Sequence, residues 1–97
     1  MDILQNSVAG TMESSDIMIR LEPGSSGIEI ELQSIVEKQF GREIRRAINE
    51  TLGTLEVKNA KITAVDKGAL DCVIRARVKT AVYRASGSTA YDWKALP

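Results

Sequence analysis

Apolar residues in this chain recur at every second position over 17–22 and 28–33, then at every third or fourth position over 36–52. That change of period, more than any other feature, narrows the folds open to it, because one chain must supply both pleated and helical surfaces to a shared core. Over 17–22, Ile17, Ile19 and Leu21 alternate with Met18, Arg20 and Glu22, the mark of a half-buried strand. Pro23, Gly24 and Gly27 punctuate a turn. Ile28, Ile30 and Leu32 then alternate with Glu29, Glu31 and Gln33, which predicts a second strand, paired as a hairpin with the first and turning its glutamates to water. A shorter strand is expected around 3–9, where the alternation is poorer.

At Ser34 the pattern becomes helical. Ser34 followed by Glu37 reads as a capping box, and Val36, Phe40, Ile44, Ala47, Ile48 and Leu52 fall on one stripe, with Gly53 as the expected stop. Gly41 inside this helix implies close packing or a local irregularity. Strand chemistry returns over 57–66 and ends in an Asp66, Lys67, Gly68 turn. Residues 70–85 fit two templates. Leu70, Cys72, Ile74, Ala76 and Val78 alternate as in a strand, whereas Leu70, Ile74, Val78, Ala81, Val82 and Ala85 make a helical stripe. Length, Asp71 at the start, Arg84 near the end and Gly87 beyond it favour the helix. The tail from 86 to 97 either folds back through Tyr91 and Trp93 or stays loose. The expected class is α+β: a two-layer sandwich in the order βββαβα, two helices packed on one face of a mainly antiparallel sheet.

Composition then removes several kinds of chemistry. The 97 residues suit one domain, 1–97, and 43% hydrophobic content with no net charge argues against wholesale disorder. There is no His, so the commonest general base and neutral metal ligand is missing. The one cysteine, Cys72, cannot form an internal disulfide or a Cys/His zinc site, and it reads as a buried structural residue. Without a general basic excess the chain is not expected to bind nucleic acid. It shows no apolar run near about 18 residues and no leader pattern, so no membrane association is expected and the location is read as cytoplasmic.

Charge is nonetheless uneven. Residues 1–31 carry Asp2, Glu13, Asp16, Glu22, Glu29 and Glu31 against Arg20, while residues 67–97 carry Lys67, Arg75, Arg77, Lys79, Arg84 and Lys94 against Asp71 and Asp92. Solvated strand and helix faces account for this, or else a surface polarised for docking. Phosphate loops, dinucleotide fingerprints and paired cysteines are absent. The acid pairs Glu13 with Asp16 and Glu29 with Glu31 sit where turns and exposed strands ordinarily keep acids. Ser14 and Ser15 read, on composition alone, as turn residues between two strands.

Further residues carry a resemblance. The run Val8, Ala9, Gly10, Thr11, Met12, Glu13, Ser14, then Asp16, Ile17, Met18, Ile19, Arg20, resembles the N-terminal signature of citrate lyase acyl carrier proteins, the gamma chains of that enzyme. Val36 to Gly41, Asp66 to Cys72, Arg75 to Arg77 and Arg84 to Gly87 continue it in order. The resemblance implies that Ser14 bears a phosphoribosyl dephospho-coenzyme A group through a phosphodiester, with no catalytic or metal-binding residue in this chain. In that family a Gly usually follows the serine, and Ser15 stands there instead. It further implies a non-catalytic carrier of acetyl and citryl thioesters. Its partners would be an alpha (acyl transferase) subunit, a beta (citryl lyase) subunit and a prosthetic-group transferase. The acidic turn at Glu13 and Asp16 would then dock on basic rims of those partners. The readings set against this are a carrier of malonate decarboxylase or a related lyase, an unmodified interaction module, and a free-standing enzyme.

Overall fold

The computed structural model describes residues 1–87, so the expectation for Tyr91 and Trp93 in the tail lies outside the described residues. Six elements follow in the expected order βββαβα: β1 (Ser7–Ala9), β2 (Ile17–Pro23), β3 (Ile28–Ser34), α1 (Glu37–Thr54), β4 (Ala60–Asp66) and α2 (Asp71–Ala85). The strands form one sheet in the order β1-β2-β4-β3. Two of its three pairings are antiparallel, and β3 runs parallel to β4.

The hairpin between β2 and β3 does not form, because β4 lies between them. Burial chemistry explains the order. Along β4 the positions Ala60, Ile62, Ala64 and Asp66 are all buried, as a central strand requires, whereas β3 buries only Leu32 and exposes Glu29 and Glu31, as an edge strand does. The segment 24–27 therefore arches over the start of β4, where the Gly27 carbonyl accepts from the Ala60 amide at 3.0 Å. A side chain at Gly24 would put its Cβ 3.0 Å from the Ala60 nitrogen. Gly24 is thus a crossing point as well as a turn residue. The parallel β3–β4 pair is joined through α1, the kind of crossover parallel strands need.

Both helices lie on one face of the sheet, α1 against β3 and α2 against β1 and β2, and they also touch each other. The helical reading of 70–85 holds: Ile74, Val78, Ala81, Val82 and Ala85 are buried, and Leu70 is the one residue of that stripe left outside, at the N-cap and exposed. On α1 the buried stripe is Gly41, Ile44, Ala47, Ile48, Thr51 and Leu52. Phe40 departs from expectation and is 48% exposed. Gly41 is buried beneath the Glu37–Arg45 ion pair of its own helix, and an added Cβ would meet Glu37 Cγ at 3.0 Å.

Four boundaries also differ from the sequence reading. The capping box at Ser34 does not form: Ser34 is the last residue of β3 and its hydroxyl donates to Asp66 at 2.8 Å, so α1 starts at Glu37 without a side-chain cap. The helix runs through Gly53 to Thr54, with Leu55 as its C-cap, and Glu56 beyond it adopts φ +56°. There the Glu56 amide donates to the Gly53 carbonyl at 3.0 Å and the Val57 amide to Leu52 at 2.9 Å, closing a Schellman turn over the buried Leu52 and Val57. Val57 is therefore core but not strand, and β4 begins at Ala60; β1 likewise shrinks to three residues, with Ile3 buried ahead of it. Among the described residues no helix is long and apolar enough to cross a membrane, and no cluster of His, Cys, Asp and Glu could hold a metal ion.

Candidate functional site

The register brings Ile17, Asp66 and Ser34 level with one another at one end of the sheet. The β1–β2 turn (residues 10–16), the loop 67–70 and the link 35–36 all leave the sheet there, and both helices begin there. This end is built around two aspartates. Asp66 accepts from the Ser34 hydroxyl and from the amides of Gly68 and Ala69 at 2.8 to 3.2 Å, which ties the β3 end to the loop before α2. Asp16 holds the β1–β2 turn.

Asp16 is 8% exposed, and its two oxygens accept five hydrogen bonds, two on Oδ1 and three on Oδ2. Oδ1 accepts from the Ile17 amide at 2.7 Å and from Arg77 Nε at 3.0 Å. Oδ2 accepts from Arg77 Nη2 at 2.8 Å and the Thr11 hydroxyl at 2.7 Å, with the Thr11 amide at 3.1 Å as a third. The two-pronged Arg77 contact is the geometry that guanidinium and carboxylate share. Arg77, bonded to both oxygens, holds the Asp16 carboxyl well below the usual carboxylate range; burial opposes this, and the Thr11 hydroxyl and Ile17 amide reinforce it. Gly10 lets the chain come this close. Its φ is +92°, and a Cβ there would lie 1.9 Å from the Ile17 carbonyl oxygen and 3.2 Å from Arg77 Cδ.

Between these anchors the chain makes one tight turn, the Glu13 carbonyl accepting from the Asp16 amide at 3.2 Å. Ser14 and Ser15 are its two corners. Ser15 has φ +66°, the left-handed conformation that a type II turn demands at its second corner and that Gly adopts most cheaply. Its amide donates to the Lys67 carbonyl at 2.8 Å, and the Lys67 amide returns a bond to the Asp16 carbonyl at 2.9 Å. Ser14 is exposed, and its hydroxyl makes no hydrogen bond among the described residues. The turn is thus pinned from α2 by Arg77 and from the loop after β4 by Lys67, and it presents two unengaged hydroxyls, those of Ser14 and of Ser15, the latter on the backbone held left-handed. Ser15→Gly should raise stability by about 0.5–1 kcal/mol, since it removes left-handed strain from a residue whose side chain bonds nothing. Thermal unfolding would check this, and a fall in the midpoint would show that the Ser15 side chain supports the turn.

The structure revises several sequence expectations. Asp16 is a buried clamp and not a docking charge, because both its oxygens face inward to Arg77 and Thr11; Glu13 alone of that pair is exposed. Cys72 is exposed, not a buried structural residue, because it sits on the first turn of α2 away from the Ile74, Val78, Val82 stripe. Glu29 and Glu31 are exposed on β3, where Glu29 lies level with Lys61 of β4 and both line a shallow pocket with Lys61 and Glu22. Thr11 and Arg77 were not singled out from sequence for their roles in the turn. Thr11 sits between Gly10 and the serines, but nothing along the chain links position 77 to position 16.

The comparisons agree with one another. Residues 4–85 match the family model described as malonate decarboxylase delta subunit (MdcD). The chain is 57% identical over 96 residues to the citrate lyase acyl carrier protein of Streptococcus uberis, covering 99% of this chain and 95% of that one. It is 55% identical, at the same coverage, to the protein of that name from Latilactobacillus sakei. Among solved structures, a chain of a Pseudomonas malonate decarboxylase hetero-tetramer in complex with malonate superposes with a TM-score of 0.75 at 21% identity, over 86% of each chain. That superposition supports the fold seen here, and the near full-length identities go further: the chain belongs to the family of citrate lyase acyl carrier proteins and malonate decarboxylase delta subunits.

Proposed function

We propose that the chain is the acyl carrier subunit of a citrate lyase, and that Ser14 Oγ is joined by a phosphodiester to a phosphoribosyl dephospho-coenzyme A group. One observation carries the assignment: an exposed hydroxyl, free of hydrogen bonds, stands at the tip of a turn that is clamped on both sides, in a chain with this parentage. The residues present fit such a group. Among the described residues every buried side-chain polar atom has a partner, so nothing inside the domain waits for a ligand, and the group would hang from the surface.

When attached, the group would supply a terminal thiol on which acetyl and citryl are carried as thioesters. The chain's own contribution is non-catalytic: it holds the attachment point rigid at one end of a body with a radius of gyration of 12.4 Å and leaves reach to the arm. Partner subunits, an acyl transferase and a citryl lyase, would do the chemistry in the cytoplasm, and a separate transferase would attach the group. The identities to citrate lyase carriers favour citrate over malonate as the pathway served.

The test is mass spectrometry of the protein isolated with its native partners, intact and as the peptide containing residues 12–19. A nucleotide-pantetheine mass on Ser14 is expected. An adduct on Ser15 would move the site, and an active native complex whose carrier has no adduct would overturn the assignment.

A further inference from the structure

Most of the large apolar side chains exposed among the described residues gather at the end of the molecule that presents Ser14. Met12 is on the turn itself, Ile35 on the β3–α1 link, Phe40 on the first turn of α1 and Leu70 at the N-cap of α2. Phe40 and Leu70 flank a groove of about 560 Å³ whose floor includes Val36, Ile44 and Ile74. One loop joins the groove to the turn: the segment that carries Leu70 begins at Lys67, which exchanges backbone hydrogen bonds with Ser15 and Asp16. Apolar side chains concentrated in this way mark an interaction surface more often than isolated ones do.

Resting on the reading of Ser14 as the attachment point, we propose that this end, with the Phe40–Leu70 groove at its centre, is the docking surface for the enzyme that forms the Ser14 phosphodiester. That enzyme has to bring its reacting atoms to bonding distance of Ser14 Oγ. A stable footprint of about 800 Å² is a disc about 32 Å across, as wide as the molecule's own 30 Å middle dimension. A partner closed on Ser14 therefore also covers Leu70 and the groove beside it. The fitting partner presents an apolar protrusion to the groove, next to the active site that receives the turn.

Two leucines give a matched experiment. Leu70 and Leu4 are both 69% exposed, but Leu4 bonds to Ala85 at the far end of α2. Leu70→Asp also places a favoured N-cap residue at a helix start that lacks a side-chain cap, so the variant should fold at least as well as the parent. With the full-length unmodified chain, the attaching enzyme and its activated nucleotide donor, Leu70→Asp is expected to raise the KM for the carrier about tenfold or more, with kcat held within about twofold. Leu4→Asp should change neither.

Cys72, the one cysteine of the chain and exposed beside Leu70, supplies a second readout. A saturating amount of the attaching enzyme should slow its alkylation, in Ser14→Ala as well as in the parent. Equal KM values for the two leucine variants, with Cys72 alkylated at an unchanged rate, would overturn the surface while leaving Ser14 as the attachment point. A shielded Cys72 in a chain that never gains mass at Ser14 would have the opposite meaning: the surface stands and the attachment reading falls.

Discussion

Ser14→Ala is expected to yield a folded chain that never gains the prosthetic group, and a reconstituted complex whose citrate cleavage falls by at least about a thousandfold. The two halves of this result have separate causes. The Ser14 side chain is exposed and holds nothing in place, so its loss should change stability by no more than about 0.5 kcal/mol. The same oxygen is the proposed bridge to the arm, and no other side chain at the turn offers an equivalent. Ser15 is the near alternative, but its backbone is bound to Lys67 in a left-handed conformation, which aims its hydroxyl differently from that of Ser14. Ser15→Ala should therefore stay loaded with stability changed by no more than about 0.5 kcal/mol, since one Cβ-bearing residue replaces another in the left-handed conformation. Intact mass and the cleavage assay, run on both variants, check this. A Ser14→Ala chain that still gains the full mass would end the assignment.

The second large effect is on stability. Asp16→Ala is expected to lower it by about 3 kcal/mol, out of the roughly 5–15 kcal/mol usual for a small domain, and the midpoint of thermal unfolding by about 15 °C. The loss has three parts: the two-pronged bond to Arg77, the Thr11 hydroxyl and amide, and the Ile17 amide. Burying those donors without an acceptor costs more than their bonds contributed. Arg77 is 39% exposed, so water can take it back, and this holds the figure below that of a fully buried pair.

The pair also imposes a pH dependence. The folded-state pKa of Asp16 lies below its unfolded value of about 3.9, so its contribution is fully present above that value. It is lost as pH falls, because the unfolded chain binds the proton first. The slope is at most about 1.4 kcal/mol per pH unit for one group. Asp16→Asn, which cannot titrate, should show a shallower decline between about pH 4 and pH 2 than the parent. Parallel acid profiles would show that Asp16 is not a principal source of acid sensitivity.

Local patterns carried most of the fold in this sequence. The alternation of Ile17, Ile19 and Leu21 and the 3.6-residue stripes of α1 and α2 each depend on neighbours a few positions away, and each element appears where its pattern lies. Pairing is different. That β4 separates β2 from β3 follows from competition for the centre of the sheet, which Ala60, Ile62 and Ala64 win over a strand studded with glutamates. The Ser34 reading failed for a similar reason, because the hydroxyl that could have capped α1 is taken by Asp66, which lies 32 positions away. At the site, the serine-bearing turn and its family resemblance were legible. Arg77 as its clamp was not, since no periodicity links it to Asp16.

That clamp also sets when the site comes into being. Asp16 and Arg77 are 61 positions apart, and Lys67, the other anchor, is nearly as remote. The serine is made early in synthesis, but the turn's anchors are in place only once β4 pairs with β2 and α2 packs across β1 and β2. A polypeptide cut short before residue 77, or one that has misplaced its last helix, displays the same local amino acids in no fixed pose. Under the proposed assignment, an enzyme that required the finished turn would load only completed molecules.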